Sequence, residues 1–280
     1  MNGYAALRRV YVRPPDERSL ASWDAFGWHD APDARSIERE HLAFREHLAE
    51  AGAEVVTGST PVPGDPDAIY AYDPVLVIDD GAIMLRPGKE QRRSEPEAVA
   101  RDLEASGVPV LAALEAPATA EGGDLVFLDD ATLLAGVGYR TNTAGVEQLA
   151  SLLEPRGIAV HRFDLPFHRG PDACLHLMSF LSPLDADLVV AYLPMMPVRL
   201  AELLERRGIR TVEVPDEEFA TMGPNVLALG PKIALALDGN PQTRRRMEAA
   251  GVDVRVYRGE HVSLNGDGGP TCLTRPLARG

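Results

Sequence analysis

Cysteine is nearly absent: the 280 residues contain two, Cys174 and Cys272. Two cysteines cannot build a disulfide framework, and a chain of this length buries enough apolar surface not to need one. Long apolar runs are missing too. The longest are broken well short of the roughly 18 residues that a membrane-spanning helix requires. The N-terminus shows no charged start, apolar core and small-residue cleavage site in succession. Positive charge is in deficit, with 28 Lys and Arg against 42 Asp and Glu and a formal net charge of -14. A nucleic-acid partner would require a basic patch to displace phosphate counterions, so the balance argues against one. Arg244-Arg245-Arg246 reads instead as a solvated helix face. A P-loop and a paired Cys-x-x-Cys are absent, and Gly136-Val-Gly138 is too short to count as a dinucleotide loop. The histidines show no paired metal spacing; His41 and His47 stand six apart, off any shared helix face. The expectation is a soluble, cytoplasmic protein with no metal, no organic cofactor, no nucleic acid and no membrane partner.

What is present is a rhythm. Five times a helical stretch ends in glycine and an apolar strand follows at once: Gly52, Gly107, Gly157, Gly208 and Gly251, spaced 55, 50, 51 and 43 residues apart. Glycine just past a helix takes the left-handed cap conformation cheaply, so each is a stop signal. Before the helices, residues 68–85, 124–138, 176–192 and 225–238 each hold two apolar runs. They are split at Asp79-Asp80-Gly81, Asp129-Asp130, Pro183 and Gly230-Pro231, and read as β-hairpins. The unit is strand, strand, helix, strand. The first copy starts from a strand at Leu7–Arg13 and then inserts an aromatic, polar segment, 19–33, with Trp23, Phe26, Trp28 and His29. The final strand, Cys272 to Thr274, is expected to pair with the N-terminal unit and close a ring, giving one α/β domain over residues 1–280. A parallel α/β sheet with alternating helices is the competing architecture.

In such a ring, equivalent loops converge at one end of the channel, so polar residues at hairpin starts are the candidates. A glycine-rich loop, Asn265-Gly-Asp-Gly-Gly-Pro-Thr-Cys272, presents a cysteine that is either a nucleophile or a small buried filler. Glu121-Gly-Gly-Asp124 places two carboxylates around a tight turn, able to hold a cation or orient a histidine. His176 alternates with Leu175 and Leu177, so on a strand it faces away from them. Cys174 shares its face and reads as packing. Asp67 and Asp73 are six apart and would share a strand face, an arrangement suited to a multi-donor cation. Arg92 and Arg140 sit in basic stretches leading into helices, where arginine can grip a carboxylate bidentately.

In this order, the motifs resemble those of the guanidino-modifying enzyme superfamily, and most of all its dimethylarginine dimethylaminohydrolase branch. They are Asp67…Asp73, Arg86-Pro-Gly…Arg92-Arg93, Glu121-Gly-Gly-Asp124, Arg140-Thr-Asn142, Leu175-His176-Leu177 and Gly268-Gly-Pro-Thr-Cys272. The similarity runs from about residue 65 to the end. It implies a five-bladed ββαβ propeller (the pentein fold) and a cysteine hydrolase acting on the guanidino C–N bond of arginine or an N-substituted arginine. Cys272 would be the nucleophile, His176 the general acid/base and Glu121 its supporting carboxylate. Asp73 and Asp67 would hold the guanidinium, Arg92 and Arg140 the α-carboxylate, and the 19–33 segment would occupy the place of a lid. A free cysteine is only about 3% thiolate at pH 7, so a neighbouring cation would have to favour the thiolate. Two positions depart from the family pattern. Tyr72 replaces a usual glutamate, which makes Tyr72 a candidate for setting the N-substituent. Met178 replaces the acid that deiminases and amidinotransferases place two residues after the histidine. Those two activities, or a silent guanidino-binding relative, are the alternatives, and a homodimer stays open.

Overall fold

The computed structural model describes residues 2–171, 173 and 175–280; Cys174, read above as packing, lies outside the described residues. The chain begins with β1 (Leu7–Val12), a one-turn helix α1 (Trp23–Phe26), a long helix α2 (Ala34–Glu50) and β2 (Glu54–Thr57). Four copies of one unit follow. The first is β3 (Val75–Ile78), β4 (Gly81–Met84), α3 (Glu95–Ala105) and β5 (Val110–Ala113). The second is β6 (Leu125–Asp129), β7 (Thr132–Val137), α4 (Thr143–Leu153) and β8 (Ala159–Asp164). The third is β9 (Leu181–Asp185), β10 (Leu188–Ala191), α5 (Val198–Arg206) and β11 (Arg210–Glu213). The fourth is β12 (Val226–Gly230), β13 (Ile233–Leu237), α6 (Pro241–Ala249) and β14 (Asp253–Tyr257), and β15 (Arg275–Arg279) ends the chain.

Each unit makes a three-stranded sheet in which the first two strands are antiparallel and the last two parallel. The fifth sheet is assembled from both chain ends in the same pattern. There β15 runs antiparallel to β1, and β1 runs parallel to β2. The structure is therefore a five-bladed ββαβ propeller, and the fifth blade closes it through β15.

Glycine is where the rhythm required it. Gly52, Gly107, Gly157, Gly208 and Gly251 all carry positive φ, between 67° and 89°. The first strands are the inner ones: β3 is buried at every residue and so are Leu125–Leu128 of β6, whereas β2 and β11 at the rim are largely exposed. Burial on both faces explains why these strands read as continuous apolar runs rather than alternating ones. Neighbouring blades share cores: Leu76 and Ile78 pack with Leu125 and Phe127, and Leu181 and Leu184 pack with Val126 and Val226. Leu7, Val10 and Val12 pack with Leu227 and Leu235, joined by Phe44 from α2. Each such side chain, fully buried, stabilises the fold by about 1.5–3 kcal/mol.

Three boundaries differ from expectation. The final strand starts at Arg275, so Cys272 and Thr274 precede it in a turn, and Pro276 lies inside the strand. Pro183 lies inside β9, and the turn of that hairpin falls between Asp185 and Leu188. Proline is tolerated there because β9 is an edge of its own sheet. His176 is not on a strand either. It caps a 3-10 turn, Leu177–Ser179, just ahead of β9.

Candidate active site

One cavity of about 390 Å³ is lined by Asp73, His176, Asn225 and Cys272, with Arg92, Arg140 and Lys89 around them. Each of these first four residues comes from the stretch just before the first strand of its blade: β3, β9, β12 and β15. The blade of β6 contributes Glu121 and Asp124 from the same position. The propeller thus delivers at least one polar group from every blade to one end of its axis.

His176 is fixed from several directions. Its backbone N–H donates to Ser179 Oγ at 3.0 Å, and the following N–H of Leu177 donates to Asp124 Oδ1 at 3.1 Å. Nε2 lies 2.7 Å from Glu121 Oε2, which sets that nitrogen as the protonated one, and Nδ1 lies 3.9 Å from Asp73 Oδ1. A Cβ on Gly123 would come within 2.3 Å of Nδ1, so the Gly-Gly turn is needed to let the imidazole approach. Glu121 is fully buried. Burial pushes its carboxyl up, but the His176 hydrogen bond and charge, with Arg140 and Arg92 behind them, overcome that and hold it well below the usual carboxylate range. Arg140 Nη1 is 3.5 Å from Glu121 Oε1. Asp124 is pushed up to about 6 by burial, against the pull of His176.

Asp73 is held ready rather than left loose. Its Oδ1 accepts from the Gly123 N–H at 2.9 Å, and its Oδ2 accepts from Arg92 Nη1 at 2.6 Å. Arg92 is itself buried and also donates to both oxygens of Glu95, at 2.9 Å from Nη2, and to the Tyr70 carbonyl at 3.1 Å. Its guanidinium is engaged by protein acids, which departs from the expectation that it grips a substrate carboxylate. Asp67 departs likewise. It lies on a 3-10 turn, Pro66–Ile69, so no strand face is shared with Asp73. Its Oδ1 accepts from Trp28 Nε1 at 2.8 Å and its Oδ2 from Lys89 Nζ at 2.6 Å. Tyr72 does not line this cavity. Its ring lies under the Arg275 guanidinium, 3.5 Å from the centroid, in a separate small pocket at the other side of the inner strands. Asp73 lines the cavity and Tyr72 the small pocket, although the two are neighbours in the turn just before β3.

Cys272 is a half-buried cysteine whose Sγ lies 3.5 Å from Asn225 Nδ2. The 19–33 segment closes one wall. Phe26, Gly27 and His29 line the cavity, Lys89 Nζ donates to the Phe26 carbonyl at 2.7 Å, and His29 donates its backbone N–H to Asn265 at 2.9 Å. Sequence reasoning missed Lys89 and Asn225. Asn225 carried a signal, because it opens the fourth hairpin run where His176 opens the third. Lys89 carried none beyond a basic loop.

Ligand-type atoms of Asp73, Glu121 and His176 lie within 4.8 Å of one another, close enough for a metal ion. Their surroundings oppose one: the Arg92 guanidinium stands 2.6 Å from Asp73 and that of Arg140 3.5 Å from Glu121. The same set suits proton transfer beside a bound cation.

Comparison with known proteins bears on this arrangement. Residues 29–276 match a family model described as "N,N dimethylarginine dimethylhydrolase, eukaryotic". The chain is 32% identical over 268 residues to the N(G),N(G)-dimethylarginine dimethylaminohydrolase of Streptomyces coelicolor, covering 95% of this chain and 96% of that one. It is 27% identical over 272 residues to the Pseudomonas aeruginosa enzyme of the same name, covering 96% and 98%. The fold superposes on the crystal structure of the Pseudomonas enzyme, a cysteine-to-serine variant complexed with citrulline, with a TM-score of 0.78 at 24% identity over 96% and 98% of the two chains.

Proposed function

The chain belongs to the dimethylarginine dimethylaminohydrolase family, and on that premise we propose that it hydrolyses a guanidino C–N bond of arginine or an N-substituted arginine, with Cys272 as nucleophile. The products are an amine and citrulline. The observation that carries the reading is the 2.7 Å Glu121–His176 contact, at the wall of a cavity that Cys272 also lines.

The substrate guanidinium lies against Asp73, whose charge keeps it protonated and its central carbon electrophilic. The Cys272 thiolate attacks that carbon, forming a C–S bond, and the C=N electron pair moves onto nitrogen. His176 gives a proton to the leaving nitrogen, the C–N bond breaks, and an amine departs from a covalent thiouronium. A water then gives its proton to His176 and adds to the same carbon. Collapse of the second adduct breaks the C–S bond, forms the ureido carbonyl as the hydroxyl proton passes to solvent, and restores the Cys272 thiolate. Glu121 stabilises the imidazolium that appears at each transfer. Arg140 pairs with the α-carboxylate, while Arg92 positions Asp73. Asp67, through Trp28 and Lys89, fastens the 19–33 lid. No step calls on a metal or an organic cofactor.

The test is incubation with arginine, monomethylarginine and dimethylarginine, scored for citrulline and released amine. Citrulline with stoichiometric amine from at least one of them is expected. Transfer of the amidino group to an added amine, with no citrulline, contradicts the reading, as does binding without product.

A further inference from the structure

Asn225 has no place in the mechanism above, yet it occupies the position from which every other blade supplies a reacting or supporting group. It is buried, 6% exposed, one residue before β12. Its backbone is pinned on both sides. The Asn225 N–H donates to the Met222 carbonyl at 3.0 Å. Ser182 Oγ, in the neighbouring blade, donates to the Pro224 carbonyl at 2.7 Å and accepts from the Val226 N–H at 3.1 Å.

The side chain is held just as firmly. Asn225 Oδ1 accepts from the Thr271 N–H at 3.1 Å, and Nδ2 lies 3.5 Å from Cys272 Sγ. The orientation of the amide follows from chemistry. A peptide N–H can only donate, so the atom facing Thr271 is the oxygen and the NH2 group faces the sulfur. The loop is shaped to admit this contact, because a Cβ on Gly269 would come within 2.5 Å of the Asn225 amide.

We propose that Asn225 is a further catalytic residue: a fixed N–H donor that holds the Cys272 sulfur in its anionic form and aims it into the cavity. A thiol is a weak acceptor and a thiolate a full one, so a donor locked beside the sulfur favours the thiolate. Two buried phenols also face Cys272, Tyr70 from the turn before β3 and Tyr257 from β14. Burial raises both well above ordinary phenols and the cysteine's charge raises them further, so they stay neutral and add no positive field. The acids Asp67, Asp73 and Asp267 share the cavity and oppose a thiolate. The cations Lys89, Arg92, Arg140 and Arg169 and the imidazoles His29, His168 and His176 also line it, with Lys89 and Arg92 already paired to Asp67 and Asp73. A neutral amide donor answers that opposition without neutralising the acid that the substrate cation needs.

The inference rests on Cys272 being the nucleophile, and its test needs no substrate. The rate of Cys272 alkylation by iodoacetamide is measured against pH, with Cys272 and Cys174 peptides resolved by mass spectrometry. Asn225→Asp keeps the shape and the acceptor for Thr271 but replaces the donor with a second oxygen; Asn225→Ala removes both. The midpoint is expected to rise by about one unit or more in Asn225→Asp and by less in Asn225→Ala. One unit is about tenfold slower alkylation at pH values below both midpoints. Asn225→Asp also brings a negative charge to the sulfur, so the share of the donor is read from Asn225→Ala, or from Asn225→Leu of similar volume where Asn225→Ala fails to fold. A folded Asn225→Ala or Asn225→Leu protein with the parent midpoint overturns the role of Asn225 and leaves the nucleophile in place. A parent Cys272 no more reactive than free cysteine also overturns the role of Asn225, while the nucleophile is read separately from the loss of turnover in Cys272→Ser.

Discussion

Glu121 is wholly buried and still ionised, because His176, Arg140 and Arg92 direct positive charge at it. Its charge is what an imidazolium needs at the moment a proton is transferred. Glu121→Gln keeps the shape and removes the charge, so kcat is expected to fall about 10²-fold or more with little change in KM. Steady-state kinetics on the substrate of choice reads this directly. Tyr72 is the opposite case. The sequence marked it as the residue that sets the N-substituent, but its ring packs on Arg275 away from the cavity. Tyr72→Phe is therefore expected to leave the ratio of kcat/KM for arginine and dimethylarginine within about twofold of the parent. Tyr72→Ala, by stripping the ring from a buried guanidinium, is expected to cost about 1 kcal/mol of stability in urea unfolding. Residue types were legible at this scale; the directions in which neighbours point were not, because Asp73 and Tyr72 differ only in which side of the backbone they leave.

At the scale of elements, helix ends were legible because glycine caps report a backbone conformation directly, and all five carry positive φ. Hairpin turns were legible at Gly230-Pro231 and Asp79-Asp80-Gly81. Pro183 misled, since an edge strand tolerates a residue that a central strand would not. The short 3-10 turns that carry Asp67 and His176 have no periodicity to read, so strand alternation was assumed where none exists. Lys89 is one tie on the 19–33 segment, spanning the Phe26 carbonyl and Asp67, beside the Trp28–Asp67 bond and the bonds of His29 and Asp30 to Asn265. Lys89→Met retains most of the apolar stem and loses both contacts. Limited proteolysis is expected to cut faster within 19–33, and KM to rise more than kcat falls.

For the whole molecule, the ring could be read from the repeat, including the chain ends meeting in one blade. The buried acid cluster behind Asp73 could not, because Asp65 and Glu95 meet only after folding. Burial pushes Asp65 up to about 6, with Arg92 pulling the other way. The folded protein then holds this proton more tightly than the unfolded chain, whose carboxyl titrates near 4. The stability it contributes is complete below about pH 4 and is lost as pH rises through about 6. Asp65→Asn is expected to raise Tm relative to the parent at pH 8, by an amount worth up to about 3 kcal/mol, and to gain less at pH 5. An equal gain at both pH values would place the proton elsewhere in the cluster.

The account turns on a covalent bond between Cys272 and the guanidino carbon. The direct measurement is mass spectrometry of the intact protein and its peptides after acid quench during turnover. An amidino adduct on the Cys272 peptide, lost in Cys272→Ser together with turnover, is the predicted result. Full turnover by Cys272→Ser, or an adduct that maps to Cys174 instead, would contradict it.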